Sequence, residues 1–150
     1  MIKMSQDRVE IRDIRPADER RLRSIQRAVL DHPSPQLLTA AASGLGIGLV
    51  ADADERTIGY VFALVGDDTA YVPEIAVDAS RHRQGIGSAL LETLMQRAGE
   101  AGVAELRLTV RAADERARSF YRGHGFEERE RLSEYYETAP TTGIVLARSV

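Results

Sequence analysis

Arg81, Arg83, Gly85 and Gly87 crowd together in the stretch Ala76-Val77-Asp78-Ala79-Ser80-Arg81-His82-Arg83-Gln84-Gly85-Ile86-Gly87-Ser88-Ala89-Leu90-Leu91, and that spacing suits the binding of a phosphate group. Glycines at the start of a helix let the backbone approach a ligand closely, while the N–H groups and the positive end of the helix dipole favour an anion. Arg81 and Arg83 add charge at the same place. Ligands of α/β sheets also bind outside the carboxyl ends of parallel strands, where this loop must lie. A Gly-x-Gly pair by itself fits a plain helix start equally well. Two other phosphate motifs are excluded: the Gly-Lys-Ser/Thr of a Walker A loop is missing, and the dinucleotide fingerprint needs a third glycine where Leu90 stands. Glu105 lies at a suitable distance from Gly85 for a ribose-binding acid, but it begins its strand, where that role is not expected.

Composition narrows the partners. The chain has 150 residues, 20 basic against 23 acidic, for a formal net charge of −3, so bulk electrostatics does not favour a nucleic acid and any anion must be held locally. Cysteine is absent, which removes disulfides, thiolate nucleophiles and Cys-based metal sites. Covalent sulfur chemistry would have to use a ligand's sulfur. His32, His82 and His124 show no ligand spacing with carboxylates, so no metal is expected. No apolar run is long enough to cross a bilayer, and the start MIKMSQDRVEIRD has no apolar core like that of a signal peptide. A soluble, cytoplasmic protein with no membrane partner is the expectation, as a monomer or a homodimer. With 43% hydrophobic residues and no repeat, low-complexity stretch or linker, residues 1–150 read as a single domain.

The elements that must position the loop follow from periodicity. Val9 to Ile14 alternates like a strand, and Pro16-Ala17-Asp18-Glu19 opens an amphipathic helix with Leu22, Ile25, Val29 and Leu30 on one side. A short helix over residues 36–42 leads into strands at 47–51, 57–65 and 70–77, separated by Ala53-Asp54-Glu55-Arg56 and Gly66-Asp67-Asp68, an antiparallel meander. Ile86, Ala89, Leu90, Leu94, Ala98 and Ala101 then recur at helical spacing until Gly102. A strand at 105–110 follows. The helix between makes the connection a crossover, so the strands at 70–77 and 105–110 should lie parallel. A helix over residues 115–123 and strands at 126–131 and 143–147 complete a mixed α/β sheet.

At these residues the chain resembles the GNAT superfamily of N-acetyltransferases. The family's acyl-CoA loop, Gln/Arg-x-x-Gly-x-Gly/Ala, corresponds to His82-Arg83-Gln84-Gly85-Ile86-Gly87, with His82 where Gln or Arg is usual. Asp114-Glu115-Arg116-Ala117-Arg118-Ser119-Phe120-Tyr121-Arg122-Gly123-His124-Gly125-Phe126 is similar to the family's Asn-x-x-Ala-x-x-x-Tyr-x-x-x-Gly-Phe. The resemblance spans roughly residues 57–126 and implies a GNAT fold. That fold is a mixed, mostly antiparallel sheet whose central parallel pair is splayed to hold acyl-CoA, flanked by about four helices. It also implies acetyl-CoA as cosubstrate and a primary amine as acceptor.

Residue roles come with the resemblance. The backbone of Ile75, Ala76 and Val77 would pair with the pantetheine arm and hold the thioester carbonyl near an N–H that stabilises the developing oxyanion. An ordinary buried strand has the same sequence pattern. Pro73 removes a ladder donor, so this strand must bulge or part from a neighbour. His82, Arg83, Gln84, Gly85, Ile86, Gly87 and Ser88 would receive the pyrophosphate. Asp114 stands for the Asn that bonds the cofactor arm, keeping an acceptor and losing the amide donor.

Tyr121 stands where the family commonly places the general acid for the leaving thiolate; a core tyrosine would show the same spacing. Proton transfer from a tyrosine near pKa ~10 to a thiolate near ~8.5 is uphill by roughly 2 kcal/mol, so it must be coupled to thioester cleavage. Within the superfamily the chain resembles the ribosomal-protein alanine N-acetyltransferases, which carry a glutamate in Leu-Glu-Val-Arg. Here the segment is Leu108-Thr109-Val110-Arg111, and Glu74 on the adjacent strand becomes the candidate base, against the reading of a solvated strand carboxylate. Tyr135 and Tyr136 resemble the paired tyrosines of that subgroup and would line a slot for a peptide N-terminus; surface positions of a hairpin are the alternative. The expected reaction is direct transfer to a protein or peptide α-amine. The rival readings are acetylation of a small amine (polyamine, amino acid or aminoglycoside) and a non-catalytic acyl-CoA-binding module.

Overall fold

The structure, a computed structural model, describes residues 9–31, 33–82 and 84–150. Its elements run β1 (Val9–Asp13), α1 (Glu19–Val29), α2 (Pro35–Ala42), β2 (Ile47–Ala53), β3 (Arg56–Val65), β4 (Thr69–Val77), α3 (Ile86–Glu100), β5 (Glu105–Arg111), α4 (Glu115–Gly123), β6 (Glu127–Leu132) and β7 (Gly143–Ser149). The strands take the order β1-β2-β3-β4-β5-β7-β6. Antiparallel pairs join β1 to β2, β2 to β3, β5 to β7 and β6 to β7, while β4 and β5 are parallel, as the crossover through α3 requires. Among the described residues no helix is long and apolar enough to cross a membrane. The chain divides into two compact units, Met1–Ala63 with Glu74–Leu94, and Leu64–Pro73 with Met95–Val150.

In the first unit α1 buries Leu22 and Ile25, α2 buries Leu38 and Ala41, and both join Val50, Tyr60, Phe62 and Ala76 in one apolar cluster. Residues Pro16–Asp18 form a 3-10 turn, so α1 begins later than the proline suggests. Asp18 explains the tightening: its Oδ2 accepts the Arg15 N–H at 2.7 Å, and both its oxygens accept from Arg12, each at 2.8 Å. Asp54 and Glu55 take φ of 52° and 62°, the two left-handed residues of a tight hairpin between β2 and β3. Pro35 begins α2, and Ser34 caps it by accepting the Leu37 N–H.

In the second unit β4 and β5 pair through Thr69, Ala70 and Tyr71, and the registered pairs end before Pro73, which has no N–H to give. Helix α4 is capped by Asp114, whose Oδ1 accepts the Ala117 N–H at 3.0 Å. Its other end shows why Tyr-x-x-x-Gly-Phe is a physical unit. The Phe126 N–H donates to the Tyr121 carbonyl and the Gly125 N–H to the Arg122 carbonyl, with Gly125 at φ +84°. That is a Schellman stop, and its usual hydrophobic contact is the edge-to-face pair Tyr121 and Phe126, 5.5 Å between centroids. The Arg148 guanidinium donates to the His124 carbonyl at the same helix end.

Candidate functional site

The loop after β4 is built in the first unit. The Asp78 N–H donates to the Ile58 carbonyl at 2.8 Å. Its side chain accepts from the Ser80 N–H at 3.0 Å, the Ser80 hydroxyl at 2.9 Å and Arg21 Nη2 at 2.6 Å. The Ser80 amide, and then the Arg21 guanidinium, lower the Asp78 carboxyl to about 2. It is therefore ionised throughout the working range. Folding depresses this pKa, so the stability that Asp78 contributes is present above its unfolded value and is lost as the pH falls toward 2. His82 Nε2 lies 2.7 Å from the Val77 carbonyl, which folds the loop back on the strand end. Arg83 lies outside the described residues, as does His32.

Gly85 then opens α3 at φ +78°, where an L side chain is disfavoured, and among the described residues a Cβ placed there meets no heavy atom within 4 Å beyond its chain neighbours. Space beside the backbone is what a close-lying ligand needs. The first turn of α3 contains no acidic residue. The Ala89 N–H is bonded to the Gly85 carbonyl, which closes the first turn of α3. Gln84 and Gly85 are exposed, Gly87 and Ser88 are half-buried, and Ile86 is anchored inside. The residues present fit a phosphate-bearing ligand. On β4, Ala76 is buried while Ile75 and Val77 are half-buried.

Glu74 is 8% exposed, so it is no solvated strand carboxylate. Its Oε1 accepts from Gln26 Nε2 at 2.8 Å and from the Tyr60 hydroxyl at 3.0 Å, and its Oε2 accepts the Ser34 N–H at 3.1 Å. Burial, and then the charge of Glu74, push the Tyr60 hydroxyl well above the ordinary tyrosine value. Gln26 also donates to the Ser34 carbonyl at 3.0 Å, so two buried side chains grip one backbone residue at the start of α2. Sequence reasoning missed Gln26 and Tyr60. The available signal was Gln26 itself, a polar residue within the apolar stripe Leu22, Ile25, Val29.

The second unit holds Tyr121, Asp114, Tyr135 and Tyr136. Tyr121 is 7% exposed and packs edge to face on Phe120 and Phe126. Burial, and then the charge of Asp114, hold its hydroxyl above the ordinary tyrosine value, so it stays protonated at any working pH. Tyr135 and Tyr136 meet edge to face at 4.9 Å, and the Arg111 guanidinium lies 4.2 Å over the Tyr136 ring. The Tyr71 hydroxyl donates to Thr109 Oγ1 at 3.1 Å, and burial pushes that hydroxyl up to about 12. Arg111, Tyr71 and Thr109 are further residues that spacing did not single out as a group.

Comparison with known proteins gives the family. The chain is 37% identical over 93 residues to the ribosomal protein bS18-alanine N-acetyltransferase of Salmonella typhimurium, covering 62% of this chain and 63% of that one. The matched stretch thus spans less than two thirds of that relative's length. The crystal structure of the ribosomal-protein-S18-alanine N-acetyltransferase from Escherichia coli superimposes with a TM-score of 0.87 at 27% identity, covering 95% of this chain and 94% of that one. Arabidopsis thaliana Naa50, solved in complex with the bisubstrate analogue CoA-Ac-MVNAL, shares the fold with a TM-score of 0.84 at 20% identity, covering 95% and 99%. The family model described as the acetyltransferase (GNAT) family matches residues 10–126, and the chain belongs to that family.

Proposed function

We propose that the protein is an acetyl-CoA-dependent N-acetyltransferase that moves the acetyl group directly onto a primary amine, with a protein or peptide N-terminal α-amine as acceptor. The open, positive-φ turn at Gly85, leading into a helix with no acid in its first turn, carries the donor half of this reading. Likeness to enzymes named for a ribosomal-protein alanine supports the acceptor half, and a ribosomal substrate would place the work in the cytoplasm.

In this reading the amides of Gln84, Gly85, Ile86, Gly87 and Ser88, with His82 and Arg83, receive the pyrophosphate, and the backbone of Ile75, Ala76 and Val77 aligns the pantetheine arm and polarises the thioester carbonyl. Asp114 bonds the cofactor arm through Oδ2, since its Oδ1 caps α4. Among the described residues three donors meet the Glu74 carboxylate, and a water on its remaining lone pair would carry the ammonium proton to it. Tyr121 gives its proton to the departing thiolate as the carbon–sulfur bond breaks.

Tyr121→Phe is expected to lower kcat by about 10- to 100-fold with acetyl-CoA affinity held within about twofold, because the hydroxyl acts mainly in the transition state. Steady-state rates beside a binding isotherm read this out. Full kcat would return Tyr121 to a core role.

Glu74→Gln makes two separable predictions. A carboxamide must turn its NH2 toward a donor, either the Ser34 N–H or the Gln26 and Tyr60 pair, and the lost hydrogen bonds should cost about 1–3 kcal/mol in thermal melts. The rate should fall near pH 7 and recover in part above pH ~8, where the α-amine loses its own proton. A lowered melting point with a pH–rate profile superimposable on the wild type would leave Glu74 a structural role only.

The direct test of the whole reading is release of CoA from acetyl-CoA across N-terminal peptides, lysine peptides and small amines. Turnover confined to a polyamine, amino acid or aminoglycoside would select the small-molecule reading. Binding of acetyl-CoA with no turnover on any amine would select the non-catalytic module.

A further inference from the structure

Arg111 ends β5 and directs its guanidinium at the connection between β6 and β7. Nη1 donates to the Thr138 carbonyl at 2.9 Å and the Pro140 carbonyl at 2.7 Å, and Nη2 to Thr138 Oγ1 at 3.1 Å. The cation also covers the face of Tyr136. Around this centre the connection closes on itself, the Tyr136 N–H donating to the Thr141 carbonyl at 3.0 Å, and the Ala112 N–H ties it to the end of β5 by donating to the Thr142 carbonyl at 2.9 Å. Glu134 takes φ +57°, a left-handed turn by a residue other than glycine, immediately before the tyrosines. Gly143 completes the seat: a Cβ there would lie 3.1 Å from Tyr135 Cδ2 and 3.1 Å from Thr109 Cγ2, so Tyr135 rests on β7 because residue 143 has no side chain.

These contacts add little to a core. Tyr135 remains 47% exposed, and the three Arg111 hydrogen bonds lie at the surface. A long connection would otherwise sample many shapes; here a fork of charge-assisted hydrogen bonds fixes one of them and holds two aromatic side chains in set orientations. An exposed Tyr135 set against the half-buried Tyr136 offers a ligand oriented aromatic contact area with little ordering left to do on binding.

We propose that Arg111 is the positioning residue of the acceptor side: it holds residues 134–142 so that Tyr135 and Tyr136 form a preformed ledge for the first residues of a peptide acceptor. This rests on the acceptor reading above and deepens it. Lysine cannot replace Arg111, because a single ammonium does not form the fork that reaches two carbonyls and a hydroxyl while lying flat on a ring.

The experiment compares wild type, Arg111→Lys and Arg111→Met in two ways. Hydrogen–deuterium exchange on each folded protein should show residues 134–142 exchanging at least about tenfold faster in both variants, with α1, α2 and α3 unchanged. Kinetics should show the KM for the acceptor raised by about tenfold, with kcat and acetyl-CoA affinity within about twofold. Unchanged exchange in the connection overturns the proposal whatever the substrate proves to be. An unchanged acceptor KM, or acetyl-CoA affinity falling in step with it, overturns it as well. If the wild type turns over only a small amine, the peptide reading fails, and the same KM comparison on that amine decides the role of Arg111.

Discussion

Gly85→Asp is expected to weaken acetyl-CoA binding by on the order of 100-fold in calorimetry while the circular dichroism spectrum stays native. Since a Cβ at Gly85 meets no heavy atom of the described residues within 4 Å beyond its chain neighbours, the first atom of the new side chain has room there. The φ of +78° costs an L residue about 1 kcal/mol, which aspartate tolerates better than most. The larger effect is on the ligand. A carboxylate about 5 Å from a bound phosphate is repelled by roughly 3 kcal/mol at an effective dielectric constant near 20, which is the 100-fold loss. Gly85→Ala separates the causes, because it keeps the backbone strain and the bulk and removes the charge, and its loss should be smaller. Unchanged affinity in folded Gly85→Asp would remove this loop from the donor site.

A short peptide with an unblocked Ala or Ser N-terminus is expected to be acetylated on the order of 100-fold faster at pH 7 than the same peptide blocked at its N-terminus and carrying an internal lysine. An α-amine of pKa ~7.7–8.0 is about one tenth neutral at pH 7, whereas a lysine of pKa ~10.4 is neutral in under about one part in a thousand, a gap of roughly 3.5 kcal/mol. The candidate base is one carboxylate that already accepts three hydrogen bonds, which makes it poorly suited to close that gap. The pH dependence adds a second signature. By pH 9 the α-amine is almost wholly neutral while lysine is still gaining about tenfold per unit, so the ratio should shrink to roughly 25-fold. Faster acetylation of the blocked lysine peptide at pH 7 would sink the α-amine reading.

What could be read in advance was what is local in the chain. The alternation of Leu106, Leu108 and Val110 marked β5, and the run from Ile86 to Ala98 marked α3, because each pattern lies within one element. Tyr121, Gly125 and Phe126 were readable as a motif because a helix stop is closed by bonds between near neighbours. The 3-10 turn at Pro16–Asp18 was not, since it is set by Arg12 reaching forward from β1. The grip on Ser34 brings together residues 26, 34, 60 and 74, and the fork of Arg111 reaches residues 138 and 140. Periodicity carries no information about which distant donor meets which acceptor. Such networks become visible only when the chain is folded.

Strand β6 ends the strand order with its run Glu127-Glu128-Arg129-Glu130-Arg131 exposed, and its register with β7 shifts between Glu128 and Glu130. An open strand edge is a template on which another chain can lay down backbone hydrogen bonds. Here an incoming strand would face a shifted row of donors and acceptors, and burying its side chains on β6 would strip water from closely spaced carboxylates and guanidiniums. The edge therefore resists fibril growth and strand exchange between copies. It is equally unsuited to a substrate that would bind there as an added strand.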